Sequence, residues 1–337
     1  MLLSTSSKID RSMKTITPIF LFSLPRSGST LLQRMIASHT DVATVSETWL
    51  LLPLFYLTKT ETGCSEYGAR LATIGIQEVF DKLEGGESEY RKEIANLTHR
   101  IYSKLSRNKE KYFLDKTPRY HLIADEIIEA FPNAKFIFLW RNPLAVVSSI
   151  ITIWGNNRWN LYRFHIDLYK GIQNLIKTYD KHKTRAIGLQ YEALLQDPEL
   201  EIGKILDYLE LSSDELEIEK FVDIRLTGPL GDKSGTREYR DISRVPLEKW
   251  KKQLNNPIRK MWCRRYLKWI GSTRLNSIGY DMDLLQGELS RTRNSFKYVL
   301  SDLIRMIYGY FFRILDIPIL RSRLGMLRRR KRIYPFS

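Results

Sequence analysis

Four places in this chain hold side chains of the types and spacing that chemistry needs. The first is Arg26-Ser27-Gly28-Ser29-Thr30, one cation and three hydroxyls around a glycine. Gly28 lets the backbone come close to a ligand, and hydroxyl and N–H donors beside a positive charge make an anion site. The second is Arg141, just ahead of Asn142-Pro143, with Ser148 and Ser149 about two helical turns along. It is an anion site of the same build, and two such sites favour a ligand with two phosphates. The third is Glu47, in Ser46-Glu47-Thr48, and the fourth is Lys116, in Asp115-Lys116-Thr117-Pro118. A lysine at a strand end can point a localised charge at an anionic leaving group. A helix-capping acid and a surface-turn lysine look the same in sequence, so these readings stay open beside the functional ones.

The elements around these residues are what would bring them together. Pro18–Phe22 is a short apolar run with the length and content of a buried strand. A helical pattern starts straight after the glycine, with Leu31, Leu32, Met35 and Ile36 on one face. Strand, glycine loop and helix in that order aim backbone N–H groups and a positive helix end at a phosphate. Further strands are expected at 42–45, ending at Glu47, at 111–114, leading into Lys116, at 134–140 and at 184–189. The run AKFIFLW at 134–140 is apolar throughout, as in a strand covered on both faces. Asn142 reads as a helix N-cap and Pro143 as the first helical residue, opening a helix to about Trp154. Other helices are expected over 49–57, 90–105, 118–131, 154–177, 202–209 and 250–267. His99 and His121 read as structural. The polar stretch 228–244 is long for a connection within a compact domain and reads as a functional flap.

Composition bounds the rest. The chain has 337 residues, 43% hydrophobic and 27% charged, which describes a soluble globular protein with a sizeable core. Its two cysteines, Cys64 and Cys263, provide neither a disulfide framework nor a metal-ligand spacing. The first residues, MLLSTSSKIDRSMK, lack the uninterrupted apolar run of a signal peptide or anchor, so a cytoplasmic location is expected. The net charge of +16 is uneven: residues 288–337 hold twelve Lys/Arg against three acids, more than half of the excess. The body is only moderately basic, and no nucleic-acid partner is expected. Residues 298–320 are apolar but interrupted by Asp302, Arg305, Arg313 and Asp316, which rules against a bilayer span. With the basic run 328–332 behind it, this stretch reads as a helix packed on the body or as a peripheral contact with an anionic membrane.

The glycine loop is not a nucleoside-triphosphate loop of the Walker type. With Gly28 and Thr30 aligned on that motif, the lysine position holds Ser29 and the first glycine position holds Ser23. A P-loop nucleotide kinase is thus the second-ranked enzyme reading, and a non-catalytic nucleotide- or membrane-binding protein the third.

Taken in order, LPRSGSTLL, DKTP, FLWRNPLAVVSS and LQYEALLQDPE resemble the sulfotransferases that use 3′-phosphoadenosine 5′-phosphosulfate (PAPS). The resemblance is greatest to the bacterial-type and tyrosylprotein-sulfotransferase branch and covers about residues 16–270. It implies an α/β, P-loop-like three-layer fold, a central parallel sheet flanked by helices. To this the chain adds a helical insertion at about 58–110 and a basic helical extension over 286–337, leaving 1–285 as the sulfotransferase domain. By position, Arg26, Ser27, Gly28, Ser29 and Thr30 correspond to the family's 5′-phosphosulfate loop, and Arg141 with Ser149 to its 3′-phosphate site. Tyr191 matches the tyrosine beside the adenine, and Lys233 falls in the flap. Glu47 falls where that branch has its catalytic base, and Lys116 where it has the lysine near the leaving group; His121, five residues past Lys116, leaves a histidine base open. The implied reaction is an in-line sulfuryl transfer, without a metal, to a hydroxyl on a carbohydrate, a tyrosyl peptide, a lipid or a small phenol, releasing 3′-phosphoadenosine 5′-phosphate. Catalysis would come from positioning and electrostatics, with Glu47 as general base and with Lys116 and Arg26 meeting the developing charge.

Overall fold

A computed structural model describes residues 16–56, 69–106, 110–216, 218–224 and 245–315, with isolated positions at 226, 317, 320 and 324–325. Five strands form one parallel sheet in the order β2-β3-β1-β4-β5: β1 (Thr17–Ser23), β2 (Val42–Thr44), β3 (Tyr112–Asp115), β4 (Lys135–Trp140) and β5 (Ala186–Gln190). The chain steps outward from β1 to β2, returns to place β3 between them, and then crosses to β4 on the far side of β1. The carboxyl end beside β1 is therefore where the winding changes direction, the place at which open α/β sheets hold ligands.

The central strands are apolar along their inner stretches, 18–22 of β1 and 136–140 of β4, because both faces are covered there. Phe20, Phe22, Phe136 and Phe138 alternate into one core, and Ile19, Leu21, Ile137 and Leu139 into the other. The second core is closed by α1 (Ser29–Ile36) through Leu31, Leu32, Met35 and Ile36. Residues of Tyr191–Gln196 and Pro198–Leu209 complete that layer. On the opposite face pack the insertion helix Gly86–Leu105, the helices Ala124–Ala130, Pro143–Ser149 and Ile172–Lys181, and then Pro257–Ile270. This is the three-layer α/β arrangement with the expected parallel sheet. The expected boundary after residue 285 falls inside the helix Met282–Arg291, whose Leu285 and Leu289 join the main core.

Several expected helices are broken, each for a local reason. The 154–177 run stops at once: Asn156 and Asn157 adopt φ 49 and 63, and a Cβ on Gly155 would sit 2.3 Å from the Arg158 carbonyl. The chain becomes helical again from Leu161–Phe164 and runs through the wider-wound Ile166–Gly171 straight into Ile172–Lys181. The 118–131 helix splits where Ile123 leaves helical geometry at φ −136. The 250–267 helix splits at Asn256, whose side chain caps the amides of Ile258 and Arg259 to start Pro257–Ile270. The helix expected over 49–57 begins only at Leu51, because Trp49 holds φ 53. In Gly86–Leu105 the buried face is Ile94, Ala95, Thr98 and Tyr102, while Leu97 and Leu105 face outward. The flap stretch 228–244, with Lys233, and the basic run 328–332 lie outside the described residues. Among the described residues no helix is long and apolar enough to cross a membrane.

Candidate active site

At the carboxyl end of β1 the chain turns through Leu24 to Gly28 and enters α1, with the Leu31 and Leu32 amides donating to the Gly28 carbonyl. Arg26 and Gly28 both adopt left-handed backbone, φ 70 and φ 89. Gly28 is required there twice over. Its φ disfavours an L side chain, and a Cβ would lie 2.2 Å from Cε2 of Tyr191. Ser27, Ser29 and Thr30 are buried with the loop.

The second anion site lies against the first. Asn142 caps the helix Pro143–Ser149 by accepting from the Leu144 amide at 2.9 Å, as the Asn-Pro pair predicts. This orients Arg141, whose guanidinium lies 4.5 Å from the centroid of the Tyr191 ring and donates from Nη1 to the Arg26 carbonyl at 2.7 Å. Arg26 Nε donates in turn to Ser149 Oγ at 3.3 Å, and its guanidinium lies over Trp154. Glu192 ties the supporting helices together by accepting from the Asn142 amide and from the Tyr280 hydroxyl. Arg26, Gly28, Arg141, Ser149 and Tyr191 thus form one contiguous cluster. Within it Arg141 Nε is buried and has no hydrogen-bond partner among the described residues, an N–H donor left over for an acceptor. A bisphosphorylated nucleotide fits the donors of this cluster: two guanidinium groups, the loop hydroxyls and the spare Arg141 N–H.

Glu47 and Lys116 form a separate pair. Each follows the end of a strand, and β2 and β3 are neighbours, so the two meet at 3.0 Å between Oε1 and Nζ. Their side chains are only 8% and 2% exposed, which makes this a buried ion pair, held by further hydrogen bonds rather than by solvent. The other Glu47 oxygen accepts from Trp49 Nε1 at 3.1 Å, and the Trp49 amide donates to Thr117 Oγ1.

Three supporting residues have no role in the sequence reading. Gln33, on α1, donates to Thr44 Oγ1 at 2.8 Å and to the Val45 carbonyl at 2.7 Å, fixing the stretch from which Glu47 projects. Asp115, directly before Lys116, is fully buried and accepts from the Tyr102, Tyr120 and Thr48 hydroxyls. Burial raises its carboxyl above the ordinary range, and those hydrogen bonds pull it part of the way back. Trp49 orients Glu47 directly. Its positive φ was the only unusual feature, and no residue type announces it.

His121 lies in the interior, away from the Glu47–Lys116 contact. Its side chain is 0% exposed and Nε2 meets Asp167 Oδ1 at 2.8 Å, with Arg119 on the same carboxylate. The ring packs so closely on Gly171 that a Cβ there would stand 2.9 Å from Nδ1.

A model described as "Sulfotransferase family" matches residues 18–215, more than half of the chain and all of the site just described. Nodulation protein NoeE of Sinorhizobium fredii is 30% identical over 136 residues, 40% of this chain and 31% of that protein. The protein-tyrosine sulfotransferase of Drosophila melanogaster is 28% identical over 247 residues, 70% of this chain and 47% of that protein. The chain therefore spans less than half the length of these two relatives. Among solved structures, the sulfotransferase domain of the Synechococcus PCC 7002 olefin synthase aligns at 25% identity and TM-score 0.48, over 71% of this chain and 88% of that one. With the family match running from the strand before the glycine loop to beyond Tyr191, the chain belongs to the sulfotransferase family.

Proposed function

We propose that this chain transfers the sulfuryl group of PAPS to an acceptor hydroxyl. The observation that carries the reading is the contiguity of the Arg26–Gly28 loop with Arg141, Ser149 and Tyr191, at the same sheet end as the buried Glu47–Lys116 pair. Arg141 and Ser149 would hold a 3′-phosphate, Arg26 to Thr30 the 5′ group, and the Tyr191 ring the adenine side. PAPS, when bound, supplies an activated S–O bond to a good leaving group.

The work left to the protein is positioning and charge. Glu47 accepts the proton of the acceptor hydroxyl as that oxygen bonds to sulfur. Lys116 and Arg26 stabilise the negative charge taken up by the 5′-phosphate as the S–O bond to it breaks. In the resting pair Lys116 orients Glu47 through one carboxylate oxygen, and Trp49 Nε1 fixes the other. Glu47 is preferred to His121 as base because His121 is sealed in the interior on Asp167. The acceptor class is a hydroxyl compound. No lysine stands at the Walker position, which argues against the kinase alternative.

The test is a thermal-shift titration with 3′-phosphoadenosine 5′-phosphate, ADP and ATP, with and without magnesium. A ligand at a hundredfold its Kd stabilises the native state by about 2.7 kcal/mol, a shift of a few degrees for a chain of this size. Stabilisation by the bisphosphate alone, unchanged by magnesium, is expected. Stabilisation by ATP with magnesium and none by the bisphosphate would overturn the proposal.

A further inference from the structure

The helix Val299–Ile314 buries an acid and turns a run of apolar residues outward, the reverse of what a surface helix does with them. Its orientation on the body is firmly set. Asp302 is buried and paired with buried Arg259, at 2.6 Å from Nε and 3.2 Å from Nη2. The same carboxylate accepts from the Trp159 amide and from Asn256 Nδ2. Two turns further on, Gly309 lies so close to Tyr162 that a Cβ would meet it at 2.7 Å, and Phe312 packs on the same ring. The inner face therefore holds the buried acid, and the outer face is left to Leu300, Leu303, Ile304, Ile307, Phe311 and Ile314. These six, at helical spacings of three, four and seven, are between 43% and 70% exposed, and no charged residue interrupts them. Phe296, at 78% exposed, extends the patch beyond the helix start.

A continuous exposed apolar stripe marks a docking surface. Its occupant is indicated by the charge around it. At the N-terminal side of the stripe, Lys251, Lys252, Arg291 and Arg293 line a surface cleft in which Glu288 is the one acid. The Ser295 amide bonds to the Asn255 carbonyl, so the cleft and the helix are joined through Ser295–Tyr298. Beyond the helix, residues 315–337 add seven Lys/Arg against one acid. A second copy paired through this stripe would set two basic surfaces against each other. An anionic headgroup layer answers both features at once, with cations in the headgroups and the stripe in the acyl boundary. We propose that the Val299–Ile314 helix docks the protein, lying in plane, on the surface of an anionic phospholipid bilayer. This inference does not depend on the proposed enzymatic function.

The test uses the full chain in co-sedimentation with phosphatidylcholine vesicles, with and without phosphatidylserine. Partition onto the serine-containing vesicles is expected, weakening as salt is raised. The paired substitution Ile304→Glu with Ile307→Glu should lower it by roughly tenfold or more. Arg291→Glu with Arg293→Glu should lower it on the anionic vesicles specifically. Both positions in the stripe point outward, so an unchanged circular-dichroism melt and an unchanged light-scattering mass are expected beside the lost partition. No partition by the native chain, or equal partition by the Ile304/Ile307 variant, would overturn the proposal. So would a dimer that the stripe substitutions dissolve while vesicles are ignored, since that outcome assigns the stripe to a second copy.

Discussion

Lys116 Nζ stands 3.0 Å from Glu47 Oε1 in a site from which both side chains are almost wholly withdrawn from water. The two residues are 69 positions apart and meet only because β2 and β3 are adjacent parallel strands. Removing one partner leaves an uncompensated buried charge, a loss of about 3–5 kcal/mol for a pair broken on one side. Lys116→Met should therefore lower the unfolding free energy by an amount near that range, measurable as a reduced urea midpoint at unchanged slope. Glu47→Gln keeps the shape and one acceptor for Lys116 but strands its buried ammonium without a counter-charge, so it too should be destabilised. Under the proposed function it should also lower kcat by about 10²–10⁴-fold while bisphosphate-induced stabilisation survives. Normal turnover by Glu47→Gln would remove Glu47 as the base.

Gly28 and Tyr191 predict a coupled pair. Gly28→Ala adds a Cβ 2.2 Å from the Tyr191 ring at φ 89, so it carries both a clash and a left-handed backbone cost of about 1–2 kcal/mol. It should lower Tm and abolish stabilisation by 3′-phosphoadenosine 5′-phosphate. Tyr191→Ala removes a buried ring and is itself destabilising. The double variant should nonetheless be more stable than the two single losses added together, because the clash is shared. Strict additivity in chemical denaturation would show that the ring does not cover the glycine.

How much of this was legible in the sequence follows from how local each feature is. The loop, the Asn142 cap and the central strands depend on neighbouring residues, so Ser23 to Thr30, Asn142-Pro143 and KFIFLW could be read directly. The joining of the two anion sites through Arg141 and Arg26 spans 115 positions and depends on β1 and β4 being paired. No spacing rule reaches that far. Trp49 and Gln33 were missed because their roles come from backbone direction, not from residue type. At residues 298–320 the apolar pattern was plain, but which face would be covered was not. That choice is made by Asp302 and its partner Arg259, 43 positions earlier in the chain.

The Arg259–Asp302 pair supplies a prediction about stability alone. Asp302 accepts from Arg259, Asn256 and the Trp159 amide, so Asp302→Ala leaves a buried guanidinium and two further donors without their acceptor. A loss of about 3–5 kcal/mol is expected, with the helix Val299–Ile314 the first element to open. Hydrogen exchange should show its amides protected in the native chain and exchanging early in the variant. Protection unchanged by the substitution would mean that Tyr162 and Phe312 hold the helix without the ion pair.

Asp115 predicts a direction for the pH dependence. Burial raises its carboxyl pKa in the fold above the unfolded value of about 3.9, the hydrogen bonds from Tyr102, Tyr120 and Thr48 only partly opposing this. A group whose pKa is higher in the fold binds its proton more tightly there. Its contribution to stability is fully present below the unfolded pKa and is lost as pH rises through the folded one. Asp115→Asn has no such titration, although it surrenders one carboxylate oxygen to which hydroxyls donate. Urea midpoints taken from mildly acidic to neutral pH should therefore show the native chain losing stability relative to the asparagine variant as pH rises. The difference should level off once the folded carboxyl is ionised. A native chain that instead gained on the variant over the same window would mean that the three hydroxyls and Lys116 outweigh burial, and that the carboxylate is the form the fold prefers.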